Sequence, residues 1–168
     1  MSACAPPSSK AASPVPRRRP ECENPHMADT PTFPLREFLG MSITDDGGGN
    51  AHAEVVTGPA HHNPHGYVHG AVVFTMVDTS MGAAVMGILG AGQTCSTIDL
   101  DLRFLRPVRG GRLSAATTVV KAGRTLVHLE SRVTDDDGRL VATATSVFAV
   151  IGEAAPQTPA RQEGSDDG

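Results

Sequence analysis

At 168 residues the chain is long enough for one domain of ordinary size and too short for two comfortable ones. Apolar residues make up 39% of it and aromatics only 4%, so the core must be built from Ala, Val, Leu, Ile and Met rather than from large rings. The net charge of −4 argues against a nucleic-acid binder, which usually presents a strongly basic domain.

In chain order, residues 1–29 are rich in Pro, Ser, Ala and Arg without periodicity and read as a disordered tail. Arg17, Arg18 and Arg19 are followed by no apolar run, so no secretory signal is expected here, and Met27 offers an alternative start. The expected domain covers residues 30–153, and residues 154–168 read as a second polar tail. Pro34 to Leu39 predicts a short helix, opened by Pro34 and ended by Gly40. Met41 to Thr44 and Ala51 to Thr57 read as a hairpin around the turn Asp45 to Asn50, and Gly58 to Val68 as a loop.

His69 to Leu89 predicts the one long helix. It is apolar on nearly every face, as expected of a helix surrounded by protein, and it is too interrupted by polar residues to span a membrane. Four strands follow: Thr97 to Leu105, Leu113 to Lys121, Thr125 to Val133 and Leu140 to Ile151. In the first, Ile98, Leu100, Leu102 and Phe104 alternate with Asp99, Asp101 and Arg103. Turns at Gly110-Gly111, Ala122-Gly123 and Asp135 to Gly138 suggest an antiparallel meander wrapped around the helix. The fold class is α+β.

Cys4, Cys22 and Cys95 form no disulfide framework, which suits a reducing, cytoplasmic setting. No Lys or Arg lies between Arg36 and Arg103, and eight then fall from Arg103 to Arg139. An electropositive half within an acidic whole suits a small anionic ligand.

Asp78 is the anomaly. It is the only acidic residue between Glu54 and Asp99, and it sits midway along the long helix with no basic residue nearby in sequence. A carboxylate taken out of water costs several kcal/mol unless paired or hydrogen-bonded. Asp78 is therefore either a structural acceptor for Thr or backbone N–H groups, or a carboxylate kept as base or nucleophile. Upstream, the loop around Asn63 delivers the chain to the helix start at His69 and Gly70. Free N–H groups at a helix N-terminus can stabilise charge developing on a carbonyl oxygen, and Gly70 lets a substrate approach closely. Asn63 is placed to orient a carbonyl or a water. His61, His62, His65 and His69 invite a metal reading, but Pro64 and Gly66 argue that they do not share a helix face, and no metal is expected. Ser80 and Cys95 lack a base partner as nucleophiles.

The pattern Asn63-x5-His69-Gly70-x7-Asp78 resembles the motif of the hotdog-fold acyl-CoA thioesterases of the phenylacetate-degradation (PaaI-like) type. The run from Thr97 to Pro107 is similar to that family's strand ending in an aromatic residue and an Arg-Pro pair. The likeness spans about Phe38 to Val150. It implies a hotdog fold, an antiparallel sheet wrapped around one central helix. It also implies hydrolysis of an acyl- or aryl-CoA without metal or other cofactor, CoA being part of the substrate. Asp78 would be general base or nucleophile, the Gly70 N–H would polarise the carbonyl, Asn63 and Thr97 would complete the site, and His69 would support it. Ala71 replaces the family's second Gly, which leaves the N–H in place. The family's sites lie between subunits, which implies a homodimer or homotetramer with Asn63 and Gly70 from one chain and Asp78 and Thr97 from the other. Within one chain, eight residues of helix separate Gly70 from Asp78 by roughly 12 Å. Arg106, Arg109, Arg112, Lys121 and Arg124, clustered around the strand turns, are candidates for the CoA phosphates. Competing readings are a hotdog hydratase acting on enoyl or hydroxyacyl thioesters, which needs a His paired with an acid, and a non-catalytic acyl-CoA sensor. Neither nucleic acid nor membrane is expected as a partner.

Overall fold

The computed structural model describes residues 33–152. The two segments read from sequence as tails lie outside the described residues, as do the outermost residues of the expected domain. Helix α1 (Pro34–Phe38) leads into strands β1 (Met41–Gly47) and β2 (Asn50–Thr57). The long helix α2 (Gly70–Met86) follows, then β3 (Thr94–Phe104), β4 (Gly111–Ala122), β5 (Leu126–Asp135) and β6 (Leu140–Ile151). The six strands form one antiparallel sheet in the order β1-β2-β4-β5-β6-β3, and α2 packs against all six. This is the hotdog arrangement that the resemblance implies.

Alternation builds the core. Ala51, Ala53 and Val55 of β2, Leu113 and Ala115 of β4, and Val127, Leu129 and Val133 of β5 are buried against Val72, Met76, Val77, Met81 and Val85 of α2. The many Ala residues on the strands let the helix approach closely. One polar chain crosses this interface. The Ser80 hydroxyl contacts the Val77 carbonyl and the Thr117 hydroxyl (2.7 Å), and Thr117 donates to Ser131 (3.0 Å). Being satisfied, these buried hydroxyls cost little and fix the rotation of the helix on the sheet.

Four expectations are corrected. The first hairpin is tighter than Asp45 to Asn50: both strands extend until only Gly48 and Gly49 turn the chain, each at positive φ (61° and 81°). Such a two-residue turn suits the twist of a hairpin and is open to glycine. The last four strands are not a simple meander, because β3 pairs with β6 and not with β4. The connection from Leu105 to Gly110 is no hairpin turn. Leu105 and Arg106 donate to the Val141 carbonyl, Val108 accepts from Val68, and Pro107 has no N–H to give. Thirdly, α2 is not enclosed all round. One sheet covers one side, leaving a stripe from Ala71 through Phe74, Thr75, Asp78 and Gly82 to Met86 exposed or half-exposed. Lastly, the alternation in β3 breaks at Ile98, where the register shifts between Thr97 and Asp99.

Candidate active site

The break at Ile98 positions a side chain. Thr97 lies opposite buried Phe148, Asp99 opposite Val147, Leu100 opposite Ser146 and Leu102 opposite Ala144. Strict alternation would put Thr97 on the outer face with Asp99, Asp101 and Arg103. The extra residue of a β-bulge reverses that parity, so Thr97 turns inward toward α2. Its hydroxyl donates to the Asp78 carboxylate at 2.8 Å. Asp78 is half-buried on the open stripe of the helix, and no salt bridge among the described residues involves it. Cys95, one inward position earlier on β3, lies close enough to feel it. Burial pushes the Cys95 thiol pKa up, and the negative charge of Asp78 raises it further. A thiol held protonated is a poor nucleophile. Ser80 is fully buried in the hydroxyl chain and equally removed from chemistry.

At the other end of the site, the loop after β2 folds back on itself. The Asn63 side-chain oxygen accepts from the backbone N–H of His65 (2.9 Å) and of Tyr67 (3.3 Å), and His62 bridges to Val68. Asn63 is thus held by its oxygen, with its amide N–H₂ left for other use. His69 is the N-cap of α2: its Nδ1 accepts from the Ala71 N–H at 3.0 Å, while its own N–H donates to the His61 carbonyl. An accepting Nδ1 puts the ring proton on Nε2. The cap consumes the Ala71 N–H and leaves that of Gly70 without an acceptor among the described residues. Asn63 and Gly70 line one cavity of about 440 Å³, together with Tyr67, Val73, Phe104 and Arg106. Neither Asp78 nor Thr97 lines it. Within one chain the structure therefore brings Asn63 to Gly70 and Thr97 to Asp78, and keeps the two pairs apart.

The five candidate phosphate ligands fall into different settings, not one cluster. Arg106 lines the cavity, and Arg109 stacks on the Tyr67 ring (4.4 Å) while its Nη2 donates to the Tyr67 hydroxyl. Arg112 is engaged by Glu54 at 2.9 Å, and its backbone N–H by Asp136. Lys121 lies at the far end of β4, roughly 30 Å from Arg112 at the usual rise per strand residue, and Arg124 in the turn that follows. The only contact between a His and a carboxylate among the described residues is His52 with Asp46, beside the β1–β2 turn. No cluster of three His, Cys, Asp or Glu suited to a metal occurs among the described residues, and none of their helices is long and apolar enough to cross a membrane.

Sequence reading missed the bulge, the Tyr67–Arg109 stack and the contact between Gly70 and Phe104. The signal for the bulge was present but ambiguous. The run Thr94 to Thr97 is polar and cannot show on which face it lies.

A sheet curled on one helix is the hotdog layout, and here that helix carries a free N-terminal N–H and a carboxylate held by Thr97. Comparison with known proteins gives the family. The family described as the thioesterase superfamily matches residues 65–142. A phenylacetic acid degradation-related protein of Ralstonia eutropha is 30% identical, with a TM-score of 0.67 over 73% of this chain and 94% of that one. The chain belongs to the thioesterase superfamily. A Halobacterium salinarum protein bearing an esterase name is 37% identical over 100 residues, 55% of this chain and 64% of that protein. The medium/long-chain acyl-CoA thioesterase YigI of Salmonella typhimurium is 28% identical over 96 residues, 49% of this chain and 62% of that enzyme. The chain thus spans just under two thirds of each of those two relatives.

Proposed function

We propose that this protein hydrolyses an acyl- or aryl-CoA thioester to free acid and CoA in a site shared by two copies of the chain. The observation that carries the reading is the placement of Asp78, a carboxylate held by Thr97 on the open stripe of α2, on the same helix as the unused Gly70 N–H. Asp78 takes a proton from water, and the resulting hydroxide attacks the thioester carbon. Alternatively, the carboxylate attacks directly and water resolves the anhydride. In either route the Gly70 N–H stabilises the oxyanion. The C–S bond breaks as the oxyanion collapses, and the CoA thiolate takes up the proton held by Asp78 or, in the direct-attack route, one from water. No metal or cofactor enters these steps. Asn63 orients the carbonyl or water with its free amide, and His69 keeps the helix start in shape.

A single chain cannot do this, because roughly 12 Å of helix separates Gly70 from Asp78, whereas an attacking group must come within about 3–3.5 Å. A second copy running antiparallel would bring its Asp78 to this chain's Gly70, with two equal sites about a two-fold axis. Two features support such a partner: the exposed stripe on α2, and β3 as an edge strand whose outer hydrogen-bonding side has no strand beside it among the described residues. A dimer, alone or paired into a tetramer, in a reducing cytoplasm completes the reading. The test is release of free thiol from a panel of acyl-CoA substrates by the wild type and by Asp78→Ala. Wild-type release that Asp78→Ala abolishes supports it. No release from any acyl-CoA, or equal release by both proteins, overturns it.

A further inference from the structure

The cavity beside Gly70 has one wall that the catalytic reading leaves without a task. Phe104 closes β3 and faces inward, opposite Ala142. Its ring points end-on at the first turn of α2. A Cβ placed on Gly70 would stand 3.0 Å from the ring's Cζ and 3.5 and 3.6 Å from its two Cε atoms. The glycine therefore leaves room for this ring as well as for a substrate. Yet Phe104 is 55% exposed in the single chain, because β3 is an edge strand and α2 is open on that side. This aromatic ring shares one cavity with the only turn of α2 that offers a free N–H, so a group bound to that N–H lies beside it.

We infer that Phe104 sets which acyl groups the site accepts, favouring those unbranched next to the carbonyl. The inference rests on the thioesterase reading, since it takes the Gly70 N–H as the carbonyl's donor. An oxygen bonded there lies about 2.9 Å from the nitrogen, and the C=O bond adds about 1.2 Å. The first carbons of the acyl chain then fall roughly 4–5 Å from the helix start, the shell that the ring tip already occupies. A straight or flat chain can slide along the ring. Methyl branches on the α carbon meet it at the turn where a Cβ on Gly70 would already stand 3.0 Å from the ring's Cζ.

Specificity constants for butanoyl-, 2-methylpropanoyl- and 2,2-dimethylpropanoyl-CoA, measured with wild type, Phe104→Leu and Phe104→Ala, test this. Removing a methyl-sized clash in an apolar pocket is typically worth about tenfold or more. The branched-to-straight ratio should rise at least tenfold in Phe104→Ala and by less in Phe104→Leu. Melting temperatures and the oligomeric state establish that both variants fold and assemble as the wild type does. The same three acyl shapes are compared as 2-oxoalkyl-CoA thioethers, which keep the carbonyl but hold no cleavable thioester, with dissociation constants read by calorimetry. If no protein hydrolyses the esters but the thioether ratio shifts with Phe104, the thioesterase reading falls and the role of Phe104 stands. Ratios unchanged within twofold in both folded variants overturn the role of Phe104, whether or not hydrolysis occurs. Failure of the wild type both to hydrolyse and to bind overturns both.

Discussion

At its N-terminal end α2 offers a backbone N–H, and near its midpoint a carboxylate; the two are supported in different ways. The N–H of Gly70 is freed because His69 caps Ala71 and because a looped segment, tied by the Asn63 oxygen, holds the chain at the correct entry angle. Most of it is local in sequence, from His61 to Val73, apart from Phe104, the strand-end segment and Val141 that close the cavity. Asp78 instead depends on a residue 19 positions away, brought to it by a bulge in an edge strand. The N–H can be removed only by proline, whose ring would meet Phe104 at Gly70, whereas the carboxylate can be removed with its volume kept, so substitutions bear most directly on the second end.

The largest expected effect is at Asp78. Asp78→Asn keeps the volume but removes charge and basicity, and turnover should fall about 10²-fold or more, the usual scale of general-base work. Near-wild-type turnover in steady-state assays would break the comparison outright. Next comes complementation. Asp78→Ala and Asn63→Ala homodimers should each be nearly inactive, and subunit exchange should regenerate one working site per heterodimer. A mixture as inactive as its parents after verified exchange would mean that the two ends do not meet across an interface. Thr97→Val removes the 2.8 Å hydrogen bond while keeping the shape. A hydrogen bond to a charged group is worth about 1.5–3 kcal/mol, and the exposure of Thr97 argues for the lower end, so turnover should drop roughly tenfold with KM little changed.

The cationic residues sharpen the picture on the binding side. Arg106→Ala should raise KM roughly 3–10-fold with turnover nearly constant, because phosphate binding is similar in ground and transition states. Arg112→Ala, whose side chain is already paired with Glu54, should change KM by less. The smallest effect concerns Cys95. Its pKa is raised first by burial and then by Asp78, so the protonated thiol is the folded form's preference. Any stability this contributes is complete at low pH and is lost only as pH rises through the raised value. Asp78→Asn removes the second cause. In a background lacking Cys4 and Cys22, the pH profile of Cys95 alkylation should then move to lower pH. An unmoved profile would show that Asp78 exerts no field at β3.

The sequence by itself determined the element list, because periodicity and turn residues are local signals. It marked the long helix and all six strands. It also picked out Asn63, Gly70 and Asp78, since an isolated acid in an apolar helix and a Gly at a helix start can each be read without knowing the neighbours. Only the tertiary structure decided that β3 crosses to the far side of β6, because strand order depends on where distant backbone groups find partners. It decided too that one stripe of α2 stays open: an apolar surface does not reveal whether its own sheet or another chain will cover it. The bulge at Ile98, which aims Thr97 at Asp78, is a register event between two strands. The contact of Phe104 with Gly70 joins residues 34 positions apart. Neither has a period to betray it, because both arise from how separate elements meet and not from what either element prefers alone.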